Sequence, residues 1–205
     1  MTTKATKQGS YHHGNLRRAT LDAAIQLITE QGVNQLTLRK IARRVGASPM
    51  ASYRHFKNKA ALLVTLAHEG FELLYTDMSQ SLVQVPAEPL RRLQATGVAY
   101  VRFAFTHSTH FRLMFGPSIS NRHDYLELER AERLSFELLV GGLQECQRAK
   151  CIRSTDARQL ARILWSQVHG LAMLILDEQI NATDLAEVER LAELATWTTI
   201  EGLKV

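Results

Sequence analysis

Leu21, Ala24, Ile25 and Ile28 recur at the spacing that puts apolar side chains on one face of an α-helix, and Gly32 stands where a left-handed cap would end it. This predicts a first helix over about 15–31. Leu38, Ile41, Ala42 and Val45 repeat the spacing between Thr37, a possible cap, and Gly46, a stop, which predicts a second helix over about 37–45. Ser48 followed by Pro49 is a helix-start pair, because the hydroxyl satisfies an orphan N–H and proline has no N–H to leave unbonded. The third helix then ends near His55. Asn58 offers another cap, and Leu63, Ala67, Phe71, Leu74 and Met78 keep the period to about residue 83. "VPAEP" at 85–89 and "FGPSIS" at 115–120 are the two clear breaks. Between them the pattern predicts a helix over 88–106 and a short one capped by Ser108. Beyond them it predicts helices over 123–149, 156–180 and 184–202, with Thr155 and either Thr183 or Asp184 as caps. No stretch alternates as a strand would. The expected fold is all-α, about nine helices: a three-helix N-terminal head and a larger helical domain.

Gly141 and Gly142 fall inside the predicted seventh helix, where each costs about 1 kcal/mol relative to alanine. Close packing against a neighbouring helix is the expected reason, with a kink as the alternative.

With 205 residues, 45% of them hydrophobic, the chain can bury one sizeable core, with or without a small satellite domain. Its two cysteines, Cys146 and Cys151, are too few for a disulfide framework and lack zinc-site spacing, so they are expected as reduced thiols. The N-terminal "MTTKATKQGSYHHG" is polar, and the longest apolar run, Leu171 to Leu176, falls far short of the roughly 18 residues a membrane span needs. A soluble cytoplasmic protein with no membrane association is expected.

Charge is divided unevenly. Residues 1–68 carry eleven Lys and Arg against two acids, a net of +9, while the remainder carries fourteen against eighteen, a net of −4. A basic first third suits a polyanion that touches that part alone; a solvated basic face is the other reading. A helix, a glycine turn and a short second helix, as in "VGASPMASYRHF" (45–56), form a helix-turn-helix whose second helix fits a DNA major groove about 12 Å wide. No G-x-S-x-G, H-E-x-x-H, P-loop or dinucleotide glycine pattern is present, so neither an enzyme nor a cofactor is expected.

"LTLRKIARRVGASPMASYRHFKNKAALL" (36–63) resembles the DNA-binding signature of TetR-type transcriptional regulators at Thr37, Ile41, Ala42, Gly46, Ser48, Tyr53, His55, Phe56, Lys59 and Leu62. "AYVRFAFTHSTHFRLMFGP" and "WSQVHGLAMLILD" resemble the ligand domain of the subgroup named for a Trp, His, Gly motif, here Trp165, His169 and Gly170. The resemblance implies a DNA-binding domain over 1–57 and a ligand-binding and dimerisation domain over 58–205, with helix 58–83 as connector. It implies that Arg39 reaches a base edge, guanine being the natural partner of arginine. Tyr53, His55 and Lys59 match backbone-contacting positions, Lys59 being suited to a phosphate, and Thr37 and Ser48 belong to the same surface. Pro49, Met50, Ala51 and Arg54 occupy the positions that vary with operator. Their largely apolar chemistry points to thymine methyl contacts, Arg54 excepted. Ser52 departs from the usual aliphatic residue and puts the packing beneath this helix in question. Arg17 and Arg18, with His12 and His13, form either a phosphate or minor-groove contact or a solvated tail. No metal is expected at the histidine pair.

Tyr100, Phe103, Phe111, Met114, Phe115, Phe136, Trp165, His169 and Met173 supply most of the large side chains after residue 90. They read either as core or as the small-molecule pocket the resemblance implies, with His169 orienting a polar group or serving as a structural histidine bonded to a carbonyl. The expected effector is apolar or amphipathic. The resemblance further implies a homodimer joined through 156–180 and 184–202, with Leu185, Val188, Leu191, Ala192 and Ala195 as the apolar stripe of the last helix, and hence a palindromic operator. It implies repression relieved by the effector. An activator, or a DNA-binding protein whose large domain serves dimerisation alone, is the alternative.

Overall fold

The computed structural model describes residues 13–205, with the backbone alone at positions 13–15, 49 and 52. The described residues form nine α-helices and two short 3₁₀ turns, with no strand. The chain divides into two compact units, one ending at Leu63 and the other beginning at Val64.

In the first unit α1 (His13–Gln31) ends where Gly32 takes φ 80°, a conformation that only a residue without Cβ adopts easily. A 3₁₀ turn at Val33–Gln35 then leads to α2 (Leu38–Arg44). Thr37 caps α2 as expected, its hydroxyl accepting the Lys40 N–H at 3.2 Å. Gly46, at φ 67°, closes α2 with the Schellman pair of bonds, Ala47 N–H to the Ala42 carbonyl and Gly46 N–H to the Arg43 carbonyl. α3 (Pro49–His55) starts at once, with Ser48 Oγ accepting the Ala51 N–H at 3.3 Å. Helix α2 packs on both α1 and α3. Leu21, Ala24, Leu27, Ile41, Ala42, Phe56 and Leu62 are buried together beneath them. α4 (Lys59–Val83), capped by Asn58 Oδ1 on the Ala61 N–H at 2.9 Å, carries the chain onward.

In the second unit α5 (Pro89–Thr106) is the central helix, packed on α6 (Ser108–Phe115), α7 (Leu126–Arg148), α8 (Ala157–Leu176) and α9 (Leu185–Glu201). Phe71, Phe103 and Phe111 are fully buried, each contributing about 1.5–3 kcal/mol by burial. Gly97 lets α5 approach α9: a Cβ built there would lie 2.7 Å from Thr196 Cγ2.

Several expectations need correction. Helix α8 stops at Leu176 rather than 180, because Glu178 takes φ 56° and the Gln179 and Glu178 N–H groups turn back to the Leu174 and Ile175 carbonyls. Asp156, not Thr155, caps it, accepting the Arg158 and Gln159 N–H groups at 2.8 and 3.1 Å. Ser108 begins α6 without capping it, His107 holding the cap position. Helix α7 starts at Leu126, preceded by a 3₁₀ turn at Arg122–Asp124. Close packing does not explain Gly141, since a Cβ there would meet nothing within 4 Å; at Gly142 it would make an ordinary 3.6 Å contact with Leu93.

Candidate functional site

On the three-helix head, α3 presents Met50 (71% exposed), Tyr53 (49%) and Arg54 to solvent, with Ala51 and His55 half-buried. The side chains of Pro49 and Ser52 lie outside the described atoms, as do His12 and the His13 side chain. Thr37 and Ser48 are exposed residues whose hydroxyl oxygens cap α2 and α3. The basic residues of this unit fall into two sets. Arg44 forms a two-pronged ion pair with Glu30 at 2.9 and 2.6 Å, and that bond holds the Glu30 carboxyl below its ordinary range. Lys40 donates to Gln31 at 3.0 Å, and Arg17 lies 5.5 Å over the Phe56 ring. Arg18 pairs with Asp22. Lys59 donates to the Val33 carbonyl at 2.6 Å, so its ammonium ties α4 to the 3₁₀ turn. Arg39, Arg43, Arg54 and Lys57 are exposed, and no ion pair among the described residues engages them. Arg17 and Arg18 of the expected arm stand in the first turns of α1.

The second unit encloses a cavity of about 110 Å³ lined by α4 through α9. Phe71, Tyr100, Phe115, Phe136 and Trp165 give it aromatic walls; Leu74, Met78, Leu93, Leu139, Leu164, Val168 and Ile200 supply its aliphatic part. Four of the nine residues expected from sequence line it: Tyr100, Phe115, Phe136 and Trp165. Phe103, Phe111 and Met114 are instead wholly buried core. Phe103 stacks on His107, and Met114 fills the space above Gly70. Met173 is half-buried away from the cavity.

His169 also stands behind the lining, reached through Tyr100. The Trp165 Nε1–H donates to Tyr100 Oη at 3.0 Å, and Oη lies 2.8 Å from His169 Nδ1. Indole can only donate, so the hydroxyl oxygen accepts there, which leaves its proton available to the Nδ1 of a ring protonated on Nε2. Burial holds His169 below the ordinary histidine range, consistent with a neutral acceptor, and burial pushes the Tyr100 phenol up. The partner of this histidine is thus a hydroxyl rather than a carbonyl. Phe111 stacks on its ring at 5.4 Å and Phe115 meets it edge-on at 4.8 Å.

The polar part of the lining escaped the sequence pattern. Gln167, Thr196 and Thr199 face the cavity, with Gln167 Nε2 donating to the Ala195 carbonyl at 3.1 Å and Thr199 donating to Gln167 Oε1. Among the described residues Glu132 is the one charged member of the lining, its carboxylate 3.4 Å from Arg122 Nη2. No spacing rule singles out a threonine or glutamine on a helix of this kind. The one available signal was that Thr196, Thr199 and Ile200 recur on one face of α9.

Residues 21–66 match the tetR family of bacterial regulatory proteins, and residues 93–198 match the tetracyclin repressor-like C-terminal domain. Among curated proteins, the HTH-type transcriptional regulator BetI of Cronobacter sakazakii is 31% identical over 192 residues, 89% of this chain and 87% of that protein. The class D tetracycline repressor of Escherichia coli is 45% identical over 53 residues, 26% of this chain. That match, like the one to the class H repressor of Photobacterium damsela, spans 24% of the repressor's own length. Among solved structures, a protein of unknown function from Rhodococcus sp. RHA1 superposes with a TM-score of 0.80 at 30% identity, covering 97% of this chain and 100% of that one. The TetR family regulator PfmR of Thermus thermophilus superposes at 0.73 with 21% identity, covering 91% and 99%, a likeness of fold.

Proposed function

This chain belongs to the TetR family of bacterial regulatory proteins, and from that membership we propose that it is a homodimeric repressor whose α3 enters the major groove of a palindromic operator and which a small molecule releases. The observation that carries the reading is the exposure of Met50, Tyr53 and Arg54 on a two-turn helix braced by α2. A helix held by its neighbours offers its outer face to base edges without ordering anything on contact. In this reading Arg39 and Arg54 read base edges, Met50 and Ala51 meet thymine methyl groups, and Tyr53, His55, Arg43 and Lys57 meet the phosphate backbone. Lys59 and Arg17, already engaged within the head, brace that surface.

The cavity supports an effector with an apolar or amphipathic body: its walls are aromatic and aliphatic, and its few polar groups can orient one end. Release follows from linkage. A ligand that binds the DNA-incompetent state 100-fold more tightly supplies about 2.7 kcal/mol of coupling. Helix α4, common to both units, is the element that would carry the difference.

The test is a gel shift at fixed salt on DNA flanking the protein's own coding region, with and without compounds that raise its thermal stability. A retarded band that a stabilising compound abolishes is the expected result. No retardation of any palindrome at low salt overturns the DNA reading. Retardation indifferent to every stabilising compound overturns the effector reading.

A further inference from the structure

Cys146 and Cys151 take no part in either surface described above, yet the end of α7 brings them together. The Cys151 N–H bonds to the Cys146 carbonyl at 3.1 Å, the Lys150 N–H bonds to the Gln147 carbonyl at 3.0 Å, and Lys150 takes φ 57°. This is a Schellman turn, whose geometry places the side chains at its two ends in contact; an apolar pair ordinarily meets there. Here the pair is two free thiols. Cys151 Sγ lies 3.2 Å from the Cys146 carbonyl oxygen. Burial pushes the Cys146 thiol up, and the adjacent Cys151 sulfur adds to the effect. The two differ in access: Cys146 is fully buried, Cys151 is half-buried. Cys146 packs in one cluster with Leu93, Leu164 and Ile200, which also line the cavity.

We propose that Cys146 and Cys151 form a dithiol that hydroperoxides oxidise to an intramolecular disulfide at the end of α7, and that its closure alters the cavity through Leu93, Leu164 and Ile200. The more accessible Cys151 reacts first. Its thiolate attacks a peroxide oxygen, the O–O bond breaks, and Cys151 sulfenic acid forms as water departs. The Cys146 sulfur then attacks Cys151 Sγ, the S–O bond breaks, and hydroxide leaves with the Cys146 thiol proton as water. Two thiols and one hydrogen peroxide thus give one disulfide and two waters, two electrons passing from sulfur to oxygen. Joining the sulfurs draws them to about 2.05 Å. Side chains close-packed around Cys146 must then adjust to its moved sulfur. The proposal is independent of the DNA-binding reading.

Full-length reduced protein is exposed to a small excess of hydrogen peroxide, quenched with N-ethylmaleimide and weighed intact. The expected mass is two hydrogens light and free of maleimide, and it reverts with dithiothreitol. Trypsin cuts after Arg148 and Lys150, between the cysteines, so the peptides bearing them should stay joined until reduced. In Cys146→Ser, dimedone should trap a sulfenic acid on Cys151; in Cys151→Ser, the buried Cys146 should survive as thiol. Two maleimide adducts on the treated wild type, or a bond between chains, overturns the dithiol. For the cavity, a Trp197→Phe background leaves Trp165 as the single tryptophan. Its emission should shift on oxidation, return with dithiothreitol and stay constant when Cys151 is also serine. An unchanged emission from fully disulfide-bonded protein overturns the link to the cavity.

Discussion

Tyr100 Oη and His169 Nδ1 meet at 2.8 Å, and this bond joins the cavity wall to a half-buried histidine whose neutral form burial favours. The Trp165 N–H already occupies one side of the phenol oxygen, so a charged ring, a donor at Nδ1 as well, would bring a second donor to that oxygen and leave the hydroxyl proton without Nδ1 as acceptor.

The sign of the pH dependence follows. Above the ordinary histidine value of 6.5, folded and unfolded chains both hold a neutral residue 169. Below it the unfolded chain takes up the proton first, since the folded value is lowered, so stability falls as pH drops through the range below 6.5. His169→Asn keeps an acceptor for Tyr100 and cannot titrate. Thermal unfolding between pH 7 and about 5 should show a shallower decline in this variant than in wild type; parallel curves would refute the assignment.

Tyr100→Phe leaves the Trp165 donor without its partner and the His169 acceptor without its proton. A loss of about 1–3 kcal/mol in denaturant unfolding is expected. Aromatic contacts with Phe111 and Phe115 remain, so the fold should persist.

Two glycine-to-alanine changes should move stability in opposite directions. At Gly97 the new methyl collides with Thr196, whose hydroxyl is bonded to the Ala192 carbonyl at 2.7 Å and whose side chain is buried. Gly97→Ala should cost about 1–3 kcal/mol. Gly141 is exposed, helical and uncrowded, so Gly141→Ala should gain up to about 1 kcal/mol. Denaturation midpoints of the two variants, measured side by side, decide this.

On DNA, Arg54→Ala should lower operator affinity by about 1–3 kcal/mol and relax the preference at one base pair. Arg43→Ala should weaken all sequences alike and reduce the salt slope by about 1. Titrations against matched operators at several salt concentrations separate the two. If Arg54→Ala behaves as Arg43→Ala does, Arg54 contacts backbone instead.

The outer faces of α8 and α9 leave Ile163 (62% exposed) and Leu194 (61%) uncovered in the single chain. Two of the five residues expected to mediate dimerisation, Val188 and Ala192, are instead fully buried within the chain. Replacing Ile163 and Leu194 by Asp should yield monomers in sedimentation and abolish operator binding. A dimer that survives the double change would place the interface elsewhere.

Patterning alone determined the number of helices, their order and most of their limits, because helix period, Thr37, Ser48 and Asn58 caps and the Gly32 and Gly46 stops are all local chemistry. It failed at the end of α8, where Glu178 adopts a left-handed conformation that glycine would have announced. Tertiary structure alone decided which aromatic residues line space and which fill it. Tyr100 and Phe103 sit on one helix three residues apart, both buried, and only one faces the cavity. Helical period fixes which side of a helix is apolar, whereas a void depends on how side chains from six helices fail to meet. The same holds for the dithiol: five residues apart in sequence, the sulfurs are neighbours because α7 ends in a reversing turn whose left-handed residue is lysine.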